Sequence, residues 1–280
     1  MPELPEVETM RRGIAAIAGN RIARVERLRC QRRPIAIEPR NLARRLSGKR
    51  IDEVGRLGKR VVLRLESGER LIFEPRMTGL VLVADPPTRE HLRLRLDLDG
   101  GPIPHVWYWD RRGLGSVRLL TEAQFAERLG NGHLGPDALQ ISLDDLQHRL
   151  AVSRRAIKVA LLDQRAVAGI GNLYASEILH LARVHPAKRC DLLTTLQWEA
   201  IHAHMLAVLR LAIRYEGSTL SDGTYRNALN QSGGYQSHHR VYDRAGEPCR
   251  QCSRGEVVRI VQAQRATFYC PACQTRGRSK

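Results

Sequence analysis

The chain has 280 residues, with 46 Lys plus Arg against 29 Asp plus Glu and a formal net charge of +17. That length can bury a real core and build two or three domains, while the lack of any apolar run of about 18 residues excludes a membrane-spanning helix. No apolar signal segment follows the N-terminus, so the cytoplasm is the expected compartment, and the cationic excess points to a polyanionic partner, nucleic acid first, because Lys and Arg neutralise phosphates whatever the base sequence.

The chain opens Met1-Pro2-Glu3-Leu4-Pro5-Glu6-Val7-Glu8. Removal of Met1 would leave a secondary amine, a group able to attack an electrophilic sugar carbon and collapse to an iminium. Such an α-amine titrates at about 7.7 to 8.0, so part of it is unprotonated near neutrality. Glu3, Glu6 and Glu8 crowd this end, and one of them can serve as general acid or base. Taken alone, the same residues also read as a plain helix start, since Pro suits a first turn and acids suit the positive dipole end.

From Pro5 to about Ala18 the apolar residues Val7, Met10, Ile14 and Ile17 recur at helical spacing, and Gly19-Asn20 supplies a C-cap. A basic stretch from Arg21 to Arg60 contains strand-like fragments at 22–28 and 51–57. Residues 60–65, a Ser67-Gly68 turn and residues 70–73 read as a hairpin. Leu92, Leu94, Leu96 and Leu98 alternate with Arg93, Arg95, Asp97 and Asp99, the period of a half-buried strand. Strands over 106–109 and 116–120 complete an antiparallel β-sandwich behind one leading helix.

The period changes at Thr121, where Thr121-x-x-Gln124 fits a capping box. Helices are expected over 121–129, 142–150, 153–164, 173–182 and 195–215. Gly169-Ile170-Gly171-Asn172 precedes the fourth; with Asn172 as N-cap its backbone N–H groups would make an anion site, though taken alone the run reads as an ordinary tight turn. Residues 218–240, rich in Ser, Gly, Asn and Gln, read as a loop that orders with ligand.

Six cysteines stand at 30, 190, 249, 252, 270 and 273. The last four form two C-x2-C pairs separated by the 17 residues 253–269, the spacing of a four-cysteine zinc ribbon. Such a site is closed, so one structural Zn2+ held by Cys249, Cys252, Cys270 and Cys273 would support the fold and take no part in chemistry. Strands over 257–261 and 267–269 would flank a turn carrying Arg265. Cys30 and Cys190 read as inert thiols. The expected fold class is therefore α+β and multidomain: a β-sandwich over 1–133, a helical domain over 134–240 and a zinc hairpin over 241–280.

These pieces together resemble the bacterial formamidopyrimidine-DNA glycosylases. The opening Met1-to-Thr9 run, His133-Leu134-Gly135-Pro136, the run Gly169 to Glu177 (GIGNLYASE) and the run Gln264 to Cys270 (QRATFYC) match that family's opening, interdomain segment, helix-two-turn-helix and zinc hairpin in order. The resemblance implies a bifunctional glycosylase and apurinic/apyrimidinic lyase, bacterial and nucleoid-associated, acting as a monomer on damaged double-stranded DNA with no membrane partner. Pro2 would attack C1′ of the damaged nucleoside, and Glu3 would be the acid/base partner. Lys59 matches a lysine associated with β-elimination and phosphate contact, and Arg265 the arginine associated with δ-elimination. Asn172 matches a residue gripping the phosphate beside the lesion, while Glu6, His91 and Lys158 match further DNA or active-site contacts. A flipped base leaves a hole that side chains must fill; Met77 matches the intercalating methionine, Arg112 the arginine facing the orphaned base, and Leu114 stands where the family has a phenylalanine wedge. The segment 110–115 reads D-R-R-G-L-G against the usual D-P-R-R-F-G, and the 218–236 loop departs from the segment that covers a flipped 8-oxoguanine. An endonuclease VIII-like preference for oxidised pyrimidines is the nearest alternative, against which Leu4 argues because that branch has Gly there. A non-catalytic DNA-binding protein is the more distant alternative.

Overall fold

The computed structural model describes residues 2–28, 35, 37–130 and 132–276; Met1 and Cys30 lie outside the described residues. The chain divides into two compact units, Met1–His133 with Ile213–Gln236, and Leu134–Ala212 with Ser237–Lys280. Residues 213–236, expected to belong to the domain over 134–240, cluster with the N-terminal unit.

The first unit opens with helix α1 (Leu4–Gly13), continued by a short 3-10 turn at Ala15–Ile17. The helix stops five residues short of Ala18. Gly13 presses on the 213–236 segment, where a Cβ on it would lie 2.4 Å from Ala228 Cβ. Val7, Met10, Ile14 and Ile17 are nonetheless all buried in the main core, as their spacing requires.

Next come β1 (Arg21–Arg27), α2 (Pro39–Leu46), β2 (Ile51–Leu57), β3 (Arg60–Leu65), β4 (Arg70–Glu74), β5 (Gly79–Leu82), β6 (Leu92–Asp99), β7 (His105–Asp110), β8 (Ser116–Leu120) and α3 (Glu122–Leu129). The strands make two four-stranded antiparallel sheets, in the orders β1-β6-β7-β5 and β2-β3-β4-β8. Leu94, Leu96 and Leu80 from one sheet share a core with Val61, Leu63 and Phe73 from the other, and Tyr225 and Ala228 complete it. This is the expected sandwich with its leading helix. In β6 the alternation breaks at Arg93, buried because its guanidinium donates twice to the Asp110 carbonyl, at 3.1 and 2.8 Å. The capping box at Thr121 forms as expected.

The second unit contains α4 (Leu143–Leu150), α5 (Ile157–Leu161), α6 (Asn172–Leu181), most of α7 (Thr195–Arg214) and the hairpin β9 (Val258–Gln262) and β10 (Arg265–Tyr269). The helix expected over 153–164 contracts to five residues, because Arg155 and Ala156 pair instead with the 189–190 backbone. Gly171, with an extended backbone, is the N-cap of α6 and Asn172 its first residue, so Asn172 does not cap the helix. No helix among the described residues is long and apolar enough to cross a membrane.

Candidate active site and zinc centre

Pro2 and Glu3 sit buried at the amino end of α1. Glu3 occupies the N-cap position, and its N–H donates to Glu6 Oε2 at 2.8 Å. The other Glu6 oxygen accepts the Ser218 N–H at 2.9 Å. Glu6 therefore seats the terminal residues by bridging α1 to the distant loop. Gly217 lies at φ +78 and a Cβ there would come within 2.8 Å of the Glu6 side chain, so only glycine lets the loop approach. Farther along α1, Glu8 pairs with Arg11, Arg12 and Arg56 of β2. Burial pulls the Glu8 carboxyl up, but the hydrogen bonds from Arg11, Arg12 and Arg56 outweigh it and hold it below its ordinary range.

Lys59 is half-buried and occupies the second loop position of the β2–β3 turn, one residue before the strand it was expected to start. Gly58 before it has φ +56, the left-handed first position of a II′-type hairpin turn.

Met77 and Arg112 are exposed, and Leu114 is half-buried. They belong to two loops that Thr78 locks together: its hydroxyl donates to Asp110 Oδ1 at 2.5 Å and accepts the Arg112 N–H at 2.9 Å. Asp110, fully buried, also accepts the Gly115 N–H at 2.8 Å. A Cβ on Gly115 would fall 1.9 Å from the Tyr108 hydroxyl, which makes that close turn a glycine position. His91 stacks edge-on against Trp109 and its carbonyl accepts the Asp110 N–H, so it borders the same loop base.

In the second unit Lys158 is wholly buried, with Nζ donating to Asn172 Oδ1 at 2.5 Å, Thr267 Oγ1 at 2.7 Å and the Ala266 carbonyl at 3.1 Å. Asn172 Nδ2 donates to the same carbonyl at 2.9 Å. Two predicted residues thus meet: Lys158 and Asn172 together hold β10 at Ala266, the residue after Arg265. Arg265 itself is exposed and opens β10 rather than lying in the turn. The turn is Ala263-Gln264, both at positive φ (46 and 61), the type I′ geometry that matches strand twist. Sequence reasoning missed Glu177, whose buried carboxylate accepts the N–H groups of Arg240, Val241 and Tyr242 at 2.9, 3.0 and 2.8 Å. Burial raises its pKa despite those donors.

The sulfurs of Cys249, Cys252, Cys270 and Cys273 all lie within 4.8 Å of one another, and two pairs stand at 3.8 Å. Four thiolates at the usual Zn–S distance of about 2.3 Å are about 3.8 Å apart in a tetrahedron. The donor set fits one structural Zn2+ and no other ligand is needed. Cys190 is buried, and its thiol is pushed up to about 11 by that burial, which keeps it inert at neutral pH.

Residues 1–117 match the formamidopyrimidine-DNA glycosylase N-terminal domain, residues 134–224 the H2TH domain of the same enzymes, and residues 246–276 a zinc finger found in FPG and IleRS. Proteins named formamidopyrimidine-DNA glycosylase are 40% identical in Chloroflexus aurantiacus, over 98% of both chains, and 40% in Methylococcus capsulatus, over 98% of this chain and 100% of that one. Among solved structures, Lactococcus lactis Fpg in complex with DNA containing an abasic site superposes with a TM-score of 0.85 at 31% identity, covering 98% of this chain and 99% of that one. The Thermus thermophilus MutM (FPG) protein gives 0.85 at 35%, covering 99% and 100%. The motifs, the paired sheets, the helical unit and the four-cysteine ribbon agree from end to end with these proteins, and the chain belongs to the formamidopyrimidine-DNA glycosylase family.

Proposed function

We propose that this protein is a DNA glycosylase and apurinic/apyrimidinic lyase that excises oxidised purines, 8-oxoguanine and formamidopyrimidines, from duplex DNA. The observation that carries the reading is whole-length family membership together with the buried seat that Glu6 makes for Pro2 and Glu3. With Met1 removed, the Pro2 nitrogen lone pair attacks C1′ and the glycosidic electron pair leaves with the base, which takes up a proton. The sugar ring then opens to an iminium, and Glu3 serves as the acid/base group. Proton loss from C2′ expels the 3′-phosphate, and a second elimination expels the 5′-phosphate. Lys59 assists the first and Arg265 the second. Zinc holds the β9–β10 hairpin that presents Arg265.

Functionally the chain divides into a catalytic sandwich (1–133), a helical DNA-gripping part (134–240) and the zinc hairpin (241–280). Asn172 contacts backbone phosphate while Lys158 braces it, and Glu6 and His91 support the site. Met77, Arg112 and Leu114 fill the space left by the flipped base. Leu114 lacks an aromatic face, so stacking of about 1 to 3 kcal/mol that a phenylalanine would add is missing there. The net charge of +17 supports binding to duplex DNA, and the reading is completed by a monomer in the bacterial cytoplasm at the nucleoid.

The test is borohydride trapping on duplexes bearing 8-oxoguanine, thymine glycol or an abasic site. A covalent adduct through Pro2 with 8-oxoguanine, lost when residues are added ahead of Pro2, is expected. Absence of any adduct on 8-oxoguanine and abasic duplexes sinks the proposal, and preference for thymine glycol assigns the pyrimidine branch.

A further inference from the structure

Beside the four cysteines stands a histidine that the zinc pattern does not include. His180, on α6, is fully buried, and its Nε2 lies 3.8 Å from Cys249 Sγ. Its other nitrogen, Nδ1, lies 3.2 Å from Gln274 Oε1. The orientation of that amide is fixed from both sides: Oε1 accepts the Cys270 N–H at 3.0 Å, and Nε2 donates to the Val184 carbonyl at 2.8 Å. An oxygen therefore faces Nδ1, so the neutral ring carries its hydrogen on Nδ1 and presents the Nε2 lone pair toward Cys249. A metal-binding histidine is prepared in this way, with one ring N–H held by a carbonyl and the other nitrogen aimed at the metal. At 3.8 Å from Cys249 Sγ, the ring stands directly beside the coordination position that this sulfur occupies.

We propose that His180 is a stand-by zinc ligand, which takes the fourth coordination position through Nε2 when the Cys249 thiolate is not available. The ring lies outside the four-sulfur cluster, so in the intact protein it stays in reserve. Because His180 and the phosphate-facing Asn172 share α6, the exchange keeps the ribbon fastened to the helix that carries the DNA grip. The other three cysteines have no such neighbour among the described hydrogen bonds. Cys252 is paired with Cys270 and Cys273 with Cys249.

The experiment loads full-length Cys249→Ala with 113Cd2+ after 15N labelling of histidine. One bound cadmium with a 113Cd–15N coupling assigned to His180 is the expected result, and a further His180→Phe change should weaken cadmium binding by about tenfold or more. Cys252→Ala, whose sulfur faces Cys270, should bind cadmium more weakly than Cys249→Ala. Three results overturn the proposal: cadmium bound to Cys249→Ala without nitrogen coupling, no cadmium bound at all, or equal affinity with and without His180.

Discussion

Thr78→Val is the substitution that best separates the architecture of the loops from the chemistry proposed at Pro2. Valine keeps the side-chain shape and removes only the hydroxyl that joins Asp110 Oδ1, at 2.5 Å, to the Arg112 N–H, at 2.9 Å. Thr78 and Asp110 are both buried, so the carboxylate oxygen loses a partner that water cannot readily replace. A hydrogen bond to a charged group contributes about 1.5 to 3 kcal/mol. The Arg112 N–H belongs to an exposed residue and can turn to water, adding little. A loss of about 2 to 3 kcal/mol is therefore expected. For a unit of this size that lowers the thermal midpoint of the sandwich by roughly 4 to 12 °C. Asp110 keeps its bond from Gly115, so the fold survives while the register between Met77 and Arg112 loosens. Excision of 8-oxoguanine from a stacked duplex should fall about tenfold, the factor that 1.4 kcal/mol of lost wedge stabilisation gives. Borohydride trapping on a preformed abasic site, where no base has to be extruded, should fall less. A midpoint within about 1 °C of wild type together with unchanged excision would refute the reasoning.

Glu177→Ala leaves three backbone N–H groups of residues 240–242 without their acceptor; at about 1 to 3 kcal/mol each, the variant should lose roughly 3 kcal/mol or more, and faster amide exchange at those residues would locate the loss. His239 is buried, and burial, then Arg250, with smaller effects from Arg244 and His238, pull its pKa from 6.5 down to about 4, against a backbone contact from Tyr242 that raises it. Because its folded pKa is depressed, its contribution is fully present above pH 6.5 and is lost as pH falls from there to about 4. Its ceiling is roughly 3 kcal/mol, and His239→Gln should flatten the denaturant midpoint over that window; an unchanged slope contradicts it. Chelation of zinc should unfold the β9–β10 hairpin and abolish DNA binding while the β-sheet circular dichroism of the sandwich persists. Unchanged binding after verified metal removal counts against a structural zinc.

Much of the fold can be read from side-chain period. Leu92 to Leu98 mark β6 to its ends, and the capping box at Thr121 marks the start of α3. Where the reading slips, tertiary contacts override local signals. The α1 periodicity runs on to Ile17, but the helix ends at Gly13, which packs against Ala228, a partner 215 positions away that no local pattern reveals. Helix α2 is masked by its arginines, though Glu38 caps it and Pro39 begins it. Strand β5 is buried on both faces and has no alternation to detect. The four cysteines and the candidate site residues Pro2, Glu3 and Lys59 stand out in the sequence by their chemistry. The contacts that fix the loops and the helix start do not: Thr78 with Asp110, Glu177 with the 240–242 backbone, and Glu6 with Ser218 are pairs defined only by folding.

The pairing of Glu6 with Ser218 also has a consequence in time. The two residues are 212 positions apart, and Tyr225 and Ala228 join the sandwich core later still in the chain. A ribosome has therefore made more than three-quarters of the polypeptide before the loop that seats the N-terminus exists. Throughout that interval Glu6 has no Ser218 N–H to accept, so the seat of Pro2 and Glu3 is unfinished. On the function proposed above, in which Met1 is removed and Pro2 is the nucleophile, maturation would uncover the amine before folding encloses it.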